Sequence, residues 1–160
     1  MPIEPPAGAT TVPFKTHNRT ITETDIVTFV NVVGLHEPFF IDMEYIRVKM
    51  AGKHRNRFAP GPMIISLGMG LLAPTVAGII DKVLEGREHG PFGGMTSVDA
   101  RIKAALFPGD TVHVEGEAWL RAPTSRGYTL MDLRHRVINQ HGEVLAEFTE
   151  TITFLPTGAG

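Results

Sequence analysis

An antiparallel sheet of about five strands curled around one long central helix, an α+β domain, is the architecture this sequence predicts. Three observations lead there. The run from Phe58 to Ile80 carries no charge, as a helix buried on all sides would not. Three stretches between Thr111 and Phe154 alternate apolar and polar residues, the period of half-buried strands. Ahead of both, a short amphipathic helix opens on a capping pattern at Thr22.

In chain order, the Pro-rich MPIEPPAGATTVP over residues 1–13 reads as a mobile arm. It lacks the basic and apolar regions of a signal peptide, so a cytoplasmic location is expected. One domain spans 14–156, and 157–160 form a tail. A first strand is expected near Phe14 to Ile21. Thr22 can then accept a hydrogen bond from the backbone of Asp25, a capping box with Asp in place of Glu. Ile26, Phe29, Val30 and Val33 follow at helical spacing, and Gly34 stands where a left-handed residue would end the helix. A loop, Leu35 to Phe40, comes next.

The uncharged run is long enough to cross a bilayer, for which about 20 apolar residues suffice. Against that, Gly61, Ser66, Gly68, Gly70, Pro74, Thr75 and Gly78 dilute it, and strand patterns continue beyond. A helix buried under a sheet accounts for the same composition, with Pro62 at its first position, Pro74 kinking or ending it, and the glycines letting the sheet approach. A strand near Met95 to Leu106 comes next. Thr111 to Ala122 sets Val112, Val114, Ala118 and Leu120 against His113, Glu115, Glu117 and Trp119. Tyr128 to Ile138 sets Thr129, Met131, Leu133, His135 and Val137 against Asp132, Arg134 and Arg136. Val144 to Phe154 repeats the pattern, after a hairpin at Asn139-Gln140-His141-Gly142.

Composition bounds the function. A chain of 160 residues, 42% hydrophobic and 20% charged, has the size of one domain and buries roughly two-thirds of its unfolded surface. A net charge of −2 from 15 basic and 17 acidic residues, with no dense basic run, argues against nucleic acid and anionic membranes. No cysteine is present, which excludes disulfides, thiolate nucleophiles and Cys-type zinc sites. Seven histidines are scattered singly, so no metal is expected. A sheet of this kind leaves an edge strand exposed, and a dimer is expected to cover it.

The loop Gly34-Leu35-His36-Glu37-Pro38-Phe39-Phe40-Ile41-Asp42 resembles the catalytic loop of MaoC-like (R)-specific enoyl-CoA hydratases, roughly Gly-Asp-x-Asn-Pro-x-His-x-Asp. Glu44-Tyr45, the segment Arg57 to Met63, Phe107 to Thr111 and Asn139 to Val144 resemble further signatures of that family in the same order. The resemblance implies a hotdog fold, an acyl-CoA thioester as substrate, and a ligand tunnel near a dimer interface. It implies no metal or redox cofactor, CoA entering as part of the substrate. Gly34, Pro38 and Asp42 match, but Leu35 stands at the catalytic acid and Phe40 at the catalytic histidine. Neither can exchange a proton.

Candidate site residues follow from that loop. His36 directly follows the replaced acid and Glu37 takes the place of the family's Asn, and both are the right types to deprotonate water and protonate carbon; the competing reading makes them ordinary loop residues. Asp42 is expected to organise the loop. Gly61 and Met63 offer backbone amides to a developing enolate oxygen, unless Gly61 only permits the turn into the helix. Leu35, Phe39, Phe40, Met63 and Met69 would form an apolar pocket wall. Arg47, Lys53, Arg55 and Arg57, with Lys49 and His54, are the one basic cluster, for CoA phosphates or simply a solvated face.

Two functions compete. The favoured one is a hydratase or dehydratase that adds or removes water at a 2-enoyl thioester through the altered loop. The alternative is a non-catalytic acyl-CoA-binding subunit partnered with a complete MaoC-like chain. A hotdog thioesterase ranks third. A homodimer is expected first and a heterodimer second.

Overall fold

The computed structural model describes residues 3–50, 56–122 and 124–158. Its elements are β1 (Val12–Lys15), β2 (Arg19–Thr20), α1 (Glu23–Val33), α2 (Pro38–Ile41), α3 (Met43–Lys49), α4 (Gly61–Leu72), α5 (Val76–Leu84), β3 (Phe92–Ile102), β4 (Thr111–Leu120), β5 (Thr129–Asn139) and β6 (Val144–Phe154). The strands form one antiparallel six-stranded sheet in the order β1-β4-β5-β6-β3, with β2 also paired to β4.

The local signals around α1 are realised. Thr22 accepts from the Asp25 amide while Asp25 accepts from the Thr22 amide, and Gly34 ends the helix at φ 72°. Such a cap is worth about 1 kcal/mol. Ile26 and Val30 of this helix are buried in the core and Phe29 packs partly buried against it, whereas Val33, at the same spacing but in the last turn, is exposed.

The alternation of β4, β5 and β6 points Val112, Val114, Val137, Ala146 and Phe148 at α1 and α4, making the larger core cluster. Met131, Leu133, Ile152 and Phe154 make a second cluster with Leu72, Ile79 and Leu84. Contact between α4 and the sheet depends on Gly68, where an added Cβ would lie 2.8 Å from the Phe148 ring and 3.1 Å from Val137. That is closer than carbon atoms pack.

Four expectations need correction. The central helix is two helices, α4 and α5, bent by 71°. Pro74 lies in the break, where its missing N–H and its ring prevent helix continuation, and the Thr75 hydroxyl donates to the Leu72 carbonyl at 3.2 Å. Nor is α4 buried all round, since Pro62, Ser66 and Gly70 are exposed. The first strand is divided into β1 and β2; at the division Thr16 turns its hydroxyl to accept from the Val114 amide at 2.9 Å. Finally, Trp119, expected on the solvated side of β4, is fully buried. Its register partner Asp132 is buried as well, held by Arg121 at 2.6 Å and by the Thr151 hydroxyl at 2.7 Å. Alternation reveals which side a residue takes but not whether that side is covered.

Among the described residues, no single helix is long and apolar enough to cross a membrane. The sheet's two sides end differently. β4 is bordered by β1 and β2, whereas among the described residues β3 ends the sheet, with Phe92, Met95, Val98 and Ile102 exposed on it.

Candidate functional site

The loop after α1 is held from both ends. Leu35 donates its amide to the Val30 carbonyl at 3.1 Å, and Pro38 starts α2 at its first position, where a proline is preorganised. The Phe40 ring is buried, 4.6 Å from Phe39 edge-on and 5.5 Å from Phe58. Leu35 and Phe39 pack partly buried against the same core cluster, as do Phe58 and Met69. The Arg57 guanidinium closes the arrangement by donating to the Phe40 carbonyl and to Glu23 at 2.5 Å. Positions 35 and 40 are therefore part of an apolar plug.

His36 and Glu37 point away from that plug. Both are exposed, and neither lines the cavities described below. Asp42 caps α3 by accepting from the Tyr45 amide at 2.9 Å.

At the start of α4, the two amides differ. Met63 donates to the Pro60 carbonyl at 2.9 Å, a bond that closes the first turn. The Gly61 amide makes no hydrogen bond to the described residues, and Gly61 lines a cavity of about 240 Å³ with Phe58, Ile64, Ile102 and Ala104. Met63 instead faces a larger cavity of about 570 Å³ between α1 and α4. Met69 lines neither.

Two of the basic residues expected to meet CoA phosphates, Arg47 and Arg57, are among the described residues. Arg57 is only 13% exposed and engaged as described. Arg47 is mostly exposed and lies 3.8 Å from Glu44. Lys53 and Arg55 lie outside the described residues.

A carboxylate–imidazole pair does exist, on the sheet. Nε2 of His135 on β5 lies 2.9 Å from Oε1 of Glu150 on β6. His135 has no exposure and stacks on Phe148 at 4.3 Å, with Phe14 5.4 Å away. Its Nδ1 has no hydrogen-bond partner among the described residues. The strand across from it carries Gly116, where an added Cβ would stand 1.9 Å from the Arg134 carbonyl and 2.5 Å from the Phe14 ring. The signal for this pair was present in the sequence: His135 and Glu150 each interrupt an inward-facing apolar row. Their meeting depends on strand register, which residue types do not show.

A family model described as "FAS1-like, dehydratase domain region" matches residues 8–148. No curated protein matches the chain. Among solved structures, the chain is similar to a monoamine oxidase regulatory protein from Archaeoglobus fulgidus, with TM-score 0.70, 23% identity, and coverage of 91% of this chain and 90% of that one. A MaoC-like dehydratase from Rhodospirillum rubrum gives 0.67 and 19%, with 92% and 93% covered. The HadBC (3R-hydroxyacyl-ACP dehydratase) complex from Mycobacterium tuberculosis gives 0.66 and 13%, with 89% and 95% covered. The shared fold is the hotdog.

Proposed function

The chain belongs to the FAS1-like dehydratase domain family, and we propose that it serves there as an acyl-thioester-binding half, holding substrate for a second hotdog chain that carries the acid and the base. The observation that carries this reading is the apolar plug. Where the resemblance expects an acid and a histidine, Leu35 and Phe40 pack into the core, and the neighbouring His36 and Glu37 face solvent. A general base has to come within hydrogen-bond reach of the proton it removes.

Three features support binding and pairing. The Gly61 amide, which has no hydrogen bond to the described residues, sits at the positive end of α4, beside a cavity, and suits a thioester carbonyl. The β3 edge offers the exposed apolar side chains of Phe92, Met95, Val98 and Ile102 to a second sheet. The mycobacterial dehydratase with this fold is itself a complex.

The test uses the purified full chain with trans-2-decenoyl-CoA. Binding is followed calorimetrically and hydration by loss of the conjugated thioester absorbance. Binding without turnover, and turnover once a hotdog chain carrying the Asp and His is added, is the expected result. Turnover by this chain alone overturns the reading and returns the chemistry to His36 and Glu37. A tight homodimer that ignores such chains overturns the pairing.

A further inference from the structure

We propose that residues 3–10 form a strap around the sheet edge at β1, latched by Glu4 on Arg134, and that opening this latch uncovers Trp119. The inference is independent of the acyl-binding reading. The two halves of the segment lie on opposite sides of the sheet. Gly8, Ala9 and Thr10 share a cavity of about 190 Å³ with Leu120 and with Lys82 and Val83 of α5, on the side that carries the helices. Glu4 instead accepts a hydrogen bond from Arg134, which also donates to Glu117. Leu133 and Ala118 belong to the core, and neighbours along a strand point to opposite faces. Arg134 and Glu117 therefore stand on the outer face, away from the helices. A turn joins the halves: Ala9 donates to the Pro6 carbonyl at 2.9 Å, and Gly8 takes φ 79°, as the third residue of a type II turn does.

The outer face shows that it is covered. Trp119, Asp132, Thr149 and Thr151 all point outward by register and are all buried, although α1, α4 and α5 pack on the opposite side. Arg121 reaches across Asp132 and Thr151, and Glu4 brings the strap onto the same face. Within the strap Ile3 and Pro5 are half-buried while Glu4 and Pro6 are exposed, the alternation of an extended segment laid along a surface.

The latch can release without leaving damage behind. Among the described residues, the bond from Arg134 to Glu4 is the one hydrogen bond between residues 3–10 and the rest of the chain. Pro5 and Pro6 have no N–H, so they add no backbone donors to hold the strap down. Arg134 uses one nitrogen for Glu4 and another for Glu117. When Glu4 leaves, Arg134 keeps a partner and the freed nitrogen meets water, so the penalty of a stranded buried charge does not arise. The Glu4 side chain is 71% exposed, and ion pairs with so much solvent hold weakly. Beneath, the Trp119 indole N–H and the Thr149 hydroxyl have no hydrogen-bond partner among the described residues. Water can serve both once the strap lifts, which offsets part of the cost of opening.

Trp119 is the one tryptophan of the chain, so its fluorescence reports the outer face directly. The test is acrylamide quenching of the full chain, with amide hydrogen exchange over residues 82–87, in wild type, Glu4→Lys and Gly8→Val. Glu4→Lys sets a like charge against Arg134. Gly8→Val leaves the latch charges intact and forces a β-branched residue to a φ of 79°, where its Cβ meets nothing within 4 Å, so it acts through backbone strain and not through a clash. Both variants should raise the quenching constant and the exchange rate about two-fold or more, with the cooperative melting transition retained. If both folded variants match wild type in quenching, the strap is overturned. A rise that comes only with loss of the melting transition is unfolding, and overturns it too. A rise in quenching with exchange over 82–87 unchanged would separate the two halves and overturn the wrap around the edge.

Discussion

The loop after α1 and the interior of the sheet both hold a histidine beside a glutamate, under opposite conditions. His36 and Glu37 are exposed, with no hydrogen bond between their side chains. His135 and Glu150 are bonded at 2.9 Å, and the histidine is sealed from solvent. One pair is reachable but unarranged, and the other is arranged but unreachable. Acid–base catalysis requires both conditions together, so residue type and even hydrogen bonding are insufficient evidence of an active site. What separates the two places is the apolar plug of Leu35, Phe39, Phe40 and Phe58, which fills the position where a reachable, arranged pair would stand.

The plug should therefore show the largest effect on stability. Phe40→Ala removes a buried ring that touches two other aromatics and should destabilise the protein by about 3–5 kcal/mol. Urea denaturation measures it. A loss under about 1 kcal/mol would mean that the loop is loosely held, and His36 and Glu37 could then move inward.

The sheet pair comes next. Glu150→Ala leaves the buried His135 Nε2 without its hydrogen-bond partner, which should cost about 1–3 kcal/mol. Replacing both, as His135→Leu with Glu150→Met, should recover most of that loss, because apolar side chains of similar volume need no partner. If the double variant is no more stable than Glu150→Ala, the pair is holding something other than itself, and the contrast with the loop weakens.

How far each region was legible in the sequence follows from the range of the interactions. The capping box of Thr22 and Asp25, the stop at Gly34 and the existence of strands β4 to β6 depend on neighbours a few residues away and are found as expected, whereas the solvated face that alternation implied is largely covered, as Trp119 and Asp132 show. Pro74 marked the bend, but the 71° angle is a tertiary quantity. Arg57 looked like a solvent-facing cation because its acceptors, Glu23 and the Phe40 carbonyl, lie 34 and 17 residues earlier. The 570 Å³ cavity was invisible for the same reason, its walls being two helices far apart in the chain. Helix α2 overlaps the stretch Leu35 to Phe40 that reads as loop, and α3 follows where the sequence marks no element, although Pro38 and Asp42 start them by ordinary means.

A smaller effect tests the start of α1, which also lines the 570 Å³ cavity. The Thr22 amide, donating to Asp25, is the main cause holding this carboxyl below its ordinary value of 3.8, with the Thr22 hydroxyl and then Arg19 assisting. A depressed folded-state value means stability that is present above pH 3.8 and lost as pH falls through the lower folded value. Asp25→Asn should flatten that acid limb and cost about 0.5 kcal/mol at neutral pH. Urea midpoints measured between pH 2 and 7 check both. An unchanged acid limb would show that the box does not depend on charge.

The smallest expected effect bears most directly on mechanism. His36→Ala and Glu37→Ala alter exposed side chains that line neither the 240 Å³ nor the 570 Å³ cavity, so stability should stay within about 0.5 kcal/mol of wild type. Affinity for decanoyl-CoA should not move either. Paired with a catalytically complete hotdog chain, both variants should support the same turnover as wild type, because the proton transfers are then made by the partner. A loss of turnover in both, with folding and affinity intact, would require the exposed pair to reach the substrate in the assembled state. The contrast between a reachable pair and an arranged one would then hold only for the isolated chain, with assembly supplying the arrangement that the loop lacks alone.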